Sequence, residues 1–208
     1  MAKILILFAH PAFQRSRVNR VLAEAVQNLA NVTFHDLYEN YAEFDIDVEA
    51  EQELLSNHDV IVFQHPFFWY STPSLLKEWQ DLVLTHGWAY GSSGKALRGK
   101  KLISVITTGG RDSAYHKQGY NRFTINQLLV PIEQTAYLCG MEYLPPFTVH
   151  GTFQMAVSEI AQNAERYKHL ITMIRDNGIN FKKAQKERNL NTDLSPLEIK
   201  ERKKNERR

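Results

Sequence analysis

Five short apolar runs alternate with five longer segments of helical periodicity over the first 178 residues. This alternation is typical of an α/β fold, because parallel strands are joined by crossovers that usually contain a helix. The predicted strands span Lys3 to Ala9, Val32 to Asp36, Val60 to His65, Lys101 to Thr107 and Glu142 to Val149. The predicted helices span Arg17 to Leu29, Ile46 to Asn57, Pro73 to Leu84, Asn121 to Gly140 and Val157 to Asp176. We therefore expect a doubly wound sheet of five parallel strands with helices on both faces.

The chain is expected to form one domain over residues 1–178, because no Gly/Ser-rich or Pro-rich linker divides it. Residues 179–208 are expected to form a charged tail that is helical or disordered rather than part of the core. From Lys182 onward the chain has ten Lys/Arg and five Asp/Glu residues, and no aromatic residue follows Phe181. Acidic side chains interleave with the basic ones and nothing can stack on a base, so we expect no nucleic-acid partner.

Composition also indicates the compartment. Cys139 is the single cysteine, which excludes an intramolecular disulfide framework and suits a reducing compartment. The apolar run Ile4 to Ala9 is too short for a signal peptide, and no run approaches the length of a membrane span. We therefore expect a cytoplasmic protein. The eight histidines have no metal-ligand spacing, so no metal site is expected.

The first predicted strand leads through a polar turn into an amphipathic helix. The apolar residues of this helix recur at intervals of three and four and fall at Val18, Val21, Leu22, Ala25, Val26 and Leu29. A helix that begins at the carboxyl end of a parallel strand offers free backbone N–H groups to an anion. Ser16 is suited to cap this helix. It acts either as an ordinary cap or as part of a phosphate-binding cup.

Two further loops are expected at the same edge, because ligands of an open parallel sheet bind outside the carboxyl ends of its strands. Four consecutive aromatic residues, Phe67 to Tyr70, follow the third strand. They suit the edge of a flat apolar ligand or a subunit interface. The sequence Thr-Thr-Gly-Gly at 107–110 lets backbone N–H groups approach a planar ring, although a flexible turn has the same composition. With the cup, these loops indicate a phosphorylated planar cofactor.

Several motifs taken together resemble those of a known family. They are Ala9-His10-Pro11 with Ser16 and Asn19, Gln64-His65-Pro66, Trp69-Tyr70-Ser71, Leu75-Leu76-Lys77 with Trp79, His86 to Gly91, and Thr107 to Gly110. From about Lys3 to Ile174 the chain resembles the flavodoxin-fold NAD(P)H:quinone reductase family. Within that family it most resembles the cytoplasmic ancillary subunits of Kef-type glutathione-gated potassium efflux systems. The resemblance implies a flavodoxin-like fold.

The resemblance also implies a cofactor, FMN or FAD, and a set of residues that bind it. Those placed around the phosphate are His10, Ser16, Arg17, Val18 and Asn19. Those that flank the isoalloxazine are Phe67, Phe68, Trp69 and Tyr70, and those that hold its polar edge are Thr107, Thr108, Gly109 and Gly110. Tyr115 occupies the place of a tyrosine that assists hydride transfer in the family. Asn121 stands six residues further, where family members often have a histidine.

The implied function is that of an oxidoreductase that passes a hydride from NAD(P)H to a quinone or a similar electrophile. The alternative is a regulatory ancillary subunit that binds and activates a potassium efflux transporter, which would place the protein at the inner face of the membrane. The family also implies a homodimer. The aromatic loop, Trp88 and Tyr90 would supply apolar interface surface.

Overall fold

A sheet of five parallel strands lies at the centre of the computed structural model, which describes residues 1–191 and 194–199. The strands are β1 (Ile4–Phe8), β2 (Val32–Asp36), β3 (Val60–Pro66), β4 (Lys101–Thr107) and β5 (Glu142–Val149). Their order is β2-β1-β3-β4-β5, so Ile4 lies opposite Val32 on one side and Val60 on the other. The chain winds outward from β1 in both directions, which leaves a crevice where the loops after β1 and β3 diverge. The predicted doubly wound, flavodoxin-like sheet is confirmed.

Helices cover both faces of the sheet and enclose two apolar cores. They are α1 (Arg17–Val26), α2 (Leu37–Asn40), α3 (Val48–Ser56), α4 (Ser74–Val83), α5 (Ile125–Leu128), α6 (Val130–Leu138), α7 (Val157–Arg175) and α8 (Phe181–Ala184). Side chains alternate between the faces of a strand, so Ile4 and Ile6 share a core with α1 and α7, whereas Leu5 and Leu7 face α3, α4 and α6. This double burial explains the unbroken apolar run of β1. Among the described residues, no helix has the length and apolar character needed to cross a bilayer.

The helix predicted from Asn121 to Gly140 is wrong, because the structure divides this segment. Helix α5 begins only after Thr124, whose hydroxyl accepts from the N–H of Gln127 while the Gln127 side chain accepts in return. A second helix, α6, then begins with Pro131 in its first turn, where a residue without an N–H can be accommodated. The other predicted helices lose one to three residues at one or both ends.

The segment after α7 packs against the domain, so the prediction of a solvated or disordered tail is wrong for its described part. Five of its apolar side chains are buried in the core that contains α1 and α7: Ile179, Ala184, Leu190, Leu194 and Leu197. They escape sequence analysis because they are spaced irregularly among charged residues. The Leu190 N–H donates to the Pro146 carbonyl oxygen (2.9 Å), which ties the segment to β5. The rest of the predicted tail, residues 192–193 and 200–208, lies outside the described residues.

Candidate functional site

A cavity of about 920 Å³ opens at the carboxyl ends of β1, β3 and β4. Its volume falls within the range of ordinary small-molecule and cofactor sites. The loop after β1, the aromatic loop after β3 and the loop after β4 form its walls. Of the residues predicted to bind a cofactor, all except Thr108 line this cavity, and so does Tyr115. Segments far apart in sequence therefore meet at one place.

The start of α1 forms the floor of one end of the cavity. Ser16 is the N-cap of the helix, and its hydroxyl accepts from the backbone N–H of Asn19 (3.1 Å). The Asn19 side-chain amide donates to Ser16 Oγ (3.2 Å) and to Thr107 Oγ1 (3.0 Å), which links this helix to the end of β4. Asn19 Oδ1 is buried without a partner. This oxygen accepts hydrogen bonds, so it suits a hydroxyl or N–H donor of a ligand, whereas the free N–H groups of the helix start suit an anion.

Two basic side chains and a histidine lie around the same end. The backbone N–H of Ala12 donates to His10 Nδ1 (3.1 Å), so the neutral ring has its hydrogen on Nε2. Burial lowers the pKa of His10. Arg17 donates to the Met155 carbonyl oxygen (3.1 Å), and Arg15 lies beside it in the cavity wall. The helix dipole and the two guanidinium groups together favour an anion here.

The aromatic loop is a tight turn held in an unusual backbone conformation. Trp69 and Tyr70 have φ values of 50° and 63°, and the Ser71 N–H donates to the Phe68 carbonyl oxygen (3.0 Å). Two consecutive bulky residues in the left-handed region store strain, of order 1–3 kcal/mol each, and such strain concentrates at functional sites. Phe67 is buried, whereas Trp69 is 92% exposed. Three of the four rings are therefore available to a ligand or a partner.

The glycine loop after β4 is shaped by close packing. A Cβ atom on Gly109 would lie 2.2 Å from Cε2 of Phe153, so a side chain at this position would require the exposed Phe153 ring to move aside. Thr108 is turned away from the cavity, because its N–H continues the sheet by donating to the Val149 carbonyl oxygen (2.9 Å). Its hydroxyl contacts the Gly110 carbonyl oxygen (2.8 Å) and His150 Nδ1 (2.9 Å).

Tyr115 and Asn121 both lie in the cavity wall. Tyr115 is buried, and this burial raises the pKa of its hydroxyl. The side-chain oxygen of Asn121 accepts from the Tyr70 hydroxyl (3.1 Å), which ties the aromatic turn to the opposite wall. His116 is exposed and its Nδ1 accepts from the Gln118 N–H (3.2 Å), so it does not take the place of the family histidine.

The loop after β5 contributes residues that sequence analysis missed. Thr152 and Phe153 line the cavity, as does Tyr120. The rule that ligands bind outside the carboxyl ends of strands applies to β5 as well, so it also predicts that this loop borders the site. Trp88 and Tyr90 are partly buried against the core instead of forming an open apolar surface. Among the described residues, no group of three or more His, Cys, Asp or Glu side chains converges as metal ligands would.

Comparisons with known proteins agree with this geometry. A family model described as flavodoxin-like fold matches residues 2–171. The ancillary protein KefG of the glutathione-regulated potassium-efflux system of Pectobacterium carotovorum is 50% identical over 165 residues, which are 79% of this chain and 90% of that protein. The structure of general stress protein 14 from Treponema denticola in complex with FMN is 40% identical, with a TM-score of 0.79 and coverage of 83% of this chain and 99% of that one. A structure named as an NADPH-quinone reductase from P. pentosaceus is 36% identical, with a TM-score of 0.74 and coverage of 81% and 96%.

Proposed function

The chain belongs to the family with the flavodoxin-like fold, and from that premise we propose that it is an FMN-dependent oxidoreductase that passes a hydride from NAD(P)H to a quinone or a similar electrophile. This proposal rests on the observation that three loops line one cavity. The helix start, the aromatic turn and the glycine loop offer an anion site, apolar rings and a close backbone approach within the same space. The FMN complex of the Treponema relative and the name of the P. pentosaceus reductase support it.

In this proposal the phosphate of FMN lies at the start of α1. His10, the segment 16–19 and the adjacent arginine side chains would surround it, and Asn19 Oδ1 would gain a partner such as a flavin-chain hydroxyl. Phe67 to Tyr70 would flank the ring system, and Thr107, Gly109 and Gly110 would border its polar edge. Thr108 would support this edge from behind. Bound FMN supplies the chemistry of hydride acceptance and release, and the protein orients it and tunes its electronics.

The protein's own residues would then position the co-substrates and exclude water. The apolar rings of Phe68 and Tyr70 favour a flat electrophile over a hydrated polar one. The Tyr70 to Asn121 hydrogen bond closes one side of the cavity. The hydroxyl of Tyr115 is protonated at neutral pH, as in any tyrosine, and burial raises its pKa further, so Tyr115 would donate a hydrogen bond to a bound acceptor.

An absorption spectrum of the purified protein tests the cofactor proposal. We expect a yellow protein whose released flavin runs with FMN, not FAD, on chromatography, and which oxidises NADPH or NADH in the presence of a quinone. Comparing the two nicotinamides and a panel of quinones would identify the preferred pair. A colourless preparation that takes up no flavin on reconstitution would contradict the proposal.

A second function is favoured by the similarity to KefG, whose name describes an ancillary role in potassium efflux. We propose that the chain also binds a glutathione-gated potassium efflux transporter at the inner face of the membrane. Co-purification of the tagged chain with such a transporter from its own cells tests this. The transporter proposal would be contradicted if the tagged chain were recovered without the transporter under conditions that retain a known peripheral subunit. This result would not affect the proposed oxidoreductase function.

We also propose a homodimer, with the cavity mouth at the interface. Three aromatic side chains at the mouth are almost fully exposed: Trp69 and Tyr120 at 92% and Phe153 at 84%. An exposed group of large aromatic rings is typical of a surface that another protein covers. Light scattering should give twice the chain mass, and Trp69→Ser should shift the equilibrium towards monomer. A monomer at all concentrations would contradict this proposal.

A further inference from the structure

The last residues of β5 form hydrogen bonds on two opposite sides. In a strand, the N–H and the carbonyl oxygen of one residue point to one side, and those of the next residue point to the other. The backbone of Thr148 points away from β4, where the Asn191 side chain accepts from its N–H (2.7 Å) and donates to its carbonyl oxygen (2.8 Å). Val149 points the opposite way, and its carbonyl oxygen accepts from the N–H of Thr108 (2.9 Å). The end of β5 therefore lies between the segment after α7 and the glycine loop after β4.

The residues after β5 hold the glycine loop by two further backbone bonds. The N–H of Gly151 donates to the Gly110 carbonyl oxygen (2.9 Å), and the N–H of Thr152 donates to the Thr108 carbonyl oxygen (3.1 Å). Together with the bond from the Thr108 N–H, these contacts fix the loop on both sides of its central glycine. The position of the loop therefore follows the position of the end of β5.

The glycine loop is a place where a small displacement matters. Gly109 and Gly110 line the cavity, and the proposed FMN would have its polar edge against their backbone. A hydrogen bond weakens steeply when its distance and angle depart from the optimum, and the groups of a binding site have to stay within about 0.5 Å of the productive position. A shift at the end of β5 would therefore reduce the fit of a flavin.

Among the described residues, β5 has no strand on its outer side, because it is the last strand of the sheet. The segment after α7 supplies hydrogen-bond partners there. Leu190 is buried in the core that contains α1 and α7, and its N–H donates to the Pro146 carbonyl oxygen (2.9 Å). This burial fixes the backbone next to Asn191, so the Asn191 amide is held against Thr148. Thr148 is itself buried, which makes the loss of its partner costly.

A second contact between the segment after α7 and the cavity wall is weaker. The Arg188 guanidinium lies 4.0 Å from the carboxylate of Asp112, which also contacts His150 Nε2 (3.3 Å). The side chains of Arg188 and Asp112 are 61% and 67% exposed, and exposed ion pairs contribute little because water and salt screen them. The two partly buried hydrogen bonds of Asn191 are therefore the main connection between this segment and the site.

We propose that Asn191 is a positioning residue for the flavin: by pairing with Thr148 it fixes the end of β5, and through β5 it fixes the glycine loop. This rests on the proposed function, in which FMN occupies the cavity. The family model matches residues 2–171, so Asn191 lies outside the part of the chain that the model describes. The segment after α7 thus adds a support to a site whose lining residues all lie within the matched part.

Quenching of FMN fluorescence by the full-length protein is the first test. Asn191→Ala should weaken FMN binding about 10-fold, as the loss of a contact that orients a binding group commonly does. Asn180→Ala is the matched control, because this asparagine lies in the same segment and caps α8 by accepting from the Lys183 N–H (3.1 Å). It should cost a similar amount of stability and leave FMN affinity unchanged.

Arg188→Ala should also leave FMN affinity unchanged, because its ion pair is exposed. This variant decides which of the two contacts connects the segment after α7 with the site. An FMN affinity of Asn191→Ala equal to that of the wild type, or an equal loss in Asn180→Ala, would overturn the proposal.

Amide hydrogen exchange in the flavin-free protein, followed by NMR, is the second test. In Asn191→Ala the N–H groups of Thr108, Gly151 and Thr152 should exchange about 10-fold faster, because the end of β5 opens more often. The N–H of Ile6, in a strand that is paired on both sides, is the reference and should change only with overall stability. Equal acceleration at all four positions would show a general loss of stability and would contradict the role of Asn191.

The midpoint potential of bound FMN is the third test, and it separates positioning from a merely structural role. Reduced flavin carries negative charge near N1, at the polar edge of the ring, so well-placed backbone donors stabilise the reduced form. Asn191→Ala should therefore shift the potential to a more negative value, whereas Asn180→Ala should not. An unshifted potential in Asn191→Ala would refute the positioning role. A wild-type protein that binds no flavin would instead contradict the proposed function.

Discussion

Asn191 uses its side-chain amide to complete the backbone pairing of Thr148. The Thr148 N–H donates to Asn191 Oδ1 (2.7 Å), and Asn191 Nδ2 donates to the Thr148 carbonyl oxygen (2.8 Å). Thr148 lies in β5, which is the last strand of the sheet. One side chain therefore imitates a neighbouring strand at an edge that would otherwise present unpaired groups.

Asn191→Ala should lower the free energy of unfolding by about 1–3 kcal/mol, the usual cost of leaving buried polar groups unpaired. Urea denaturation followed by circular dichroism measures this. Lys186→Ala, an exposed substitution in the same segment, should change stability by less than about 0.5 kcal/mol. Equal effects of the two substitutions would mean that the amide pairing contributes nothing.

The buried imidazole of His65 should make the protein sensitive to mild acid. Burial lowers its pKa from 6.5 to about 4. Between these values the unfolded chain binds a proton that the folded chain does not, so the free energy of unfolding falls as pH drops from about 6.5 to 4. The loss should reach about 3 kcal/mol.

Urea denaturation at pH 7 and pH 4.5 measures this pH dependence, and His65→Gln should flatten it. His169→Gln, which changes an exposed histidine, should leave the slope as in the wild type. A wild-type slope in His65→Gln would exclude His65 as its origin.

Replacing Ser16 and Asn19 by Val and Leu should abolish flavin binding while the fold is retained. The cap hydrogen bond and the polar floor of the cavity are lost together, so we expect a fall in FMN affinity of at least 10-fold, about 1.4 kcal/mol. Loss of the cap should also cost about 1 kcal/mol of stability. Quenching of flavin fluorescence measures the affinity.

Asp47→Ala is the matched control, because Asp47 caps α3 in the same way by accepting from the Ala50 N–H (3.0 Å). It should lower stability by a similar amount and leave flavin affinity unchanged. Full flavin occupancy in the Ser16/Asn19 variant would show that the helix start has a capping role alone.

Gly109→Ala should displace the exposed Phe153 ring, which lines the cavity, because the added Cβ would meet this ring at 2.2 Å. We expect flavin affinity to fall about 10-fold, or 1.4 kcal/mol, and Phe153→Ala in the same chain to restore part of it by making room. Gly178→Ala is the control, since its Cβ would make only an ordinary contact at 3.5 Å. A double variant no better than Gly109→Ala alone would show that Phe153 is not the obstacle.

The sheet could be predicted because each of its strands has a recognisable local sequence pattern. Val32 to Asp36 and Glu142 to Val149 were predicted at their observed bounds, since short runs with apolar residues, flanked by turn residues, suit a parallel sheet. The interruption before Pro131 was missed although proline is a local signal, because the apolar spacing continues on both sides of it. The apolar spacing therefore favours one continuous helix, whereas the structure has two helices there.

The site was predictable wherever it follows a strand end and not where it depends on contacts between loops. His10 and Gly109 could be placed by counting along the chain. The turn of Thr108 away from the cavity could not, because it depends on sheet pairing with Val149, and neither could the contact between His150 and Asp112. These relations join residues that are far apart in sequence and have no common motif.

The match to the family model ends at residue 171, yet the core continues to Leu197. The segment that matches the family model is therefore shorter than the segment whose side chains form the core. If the chain were cut where its relatives' pattern stops, it would keep every loop of the cavity but would uncover an apolar side of α7 and an open strand edge at β5. We expect such a fragment to self-associate, even though it would keep every residue that is proposed to bind the cofactor or to act in catalysis.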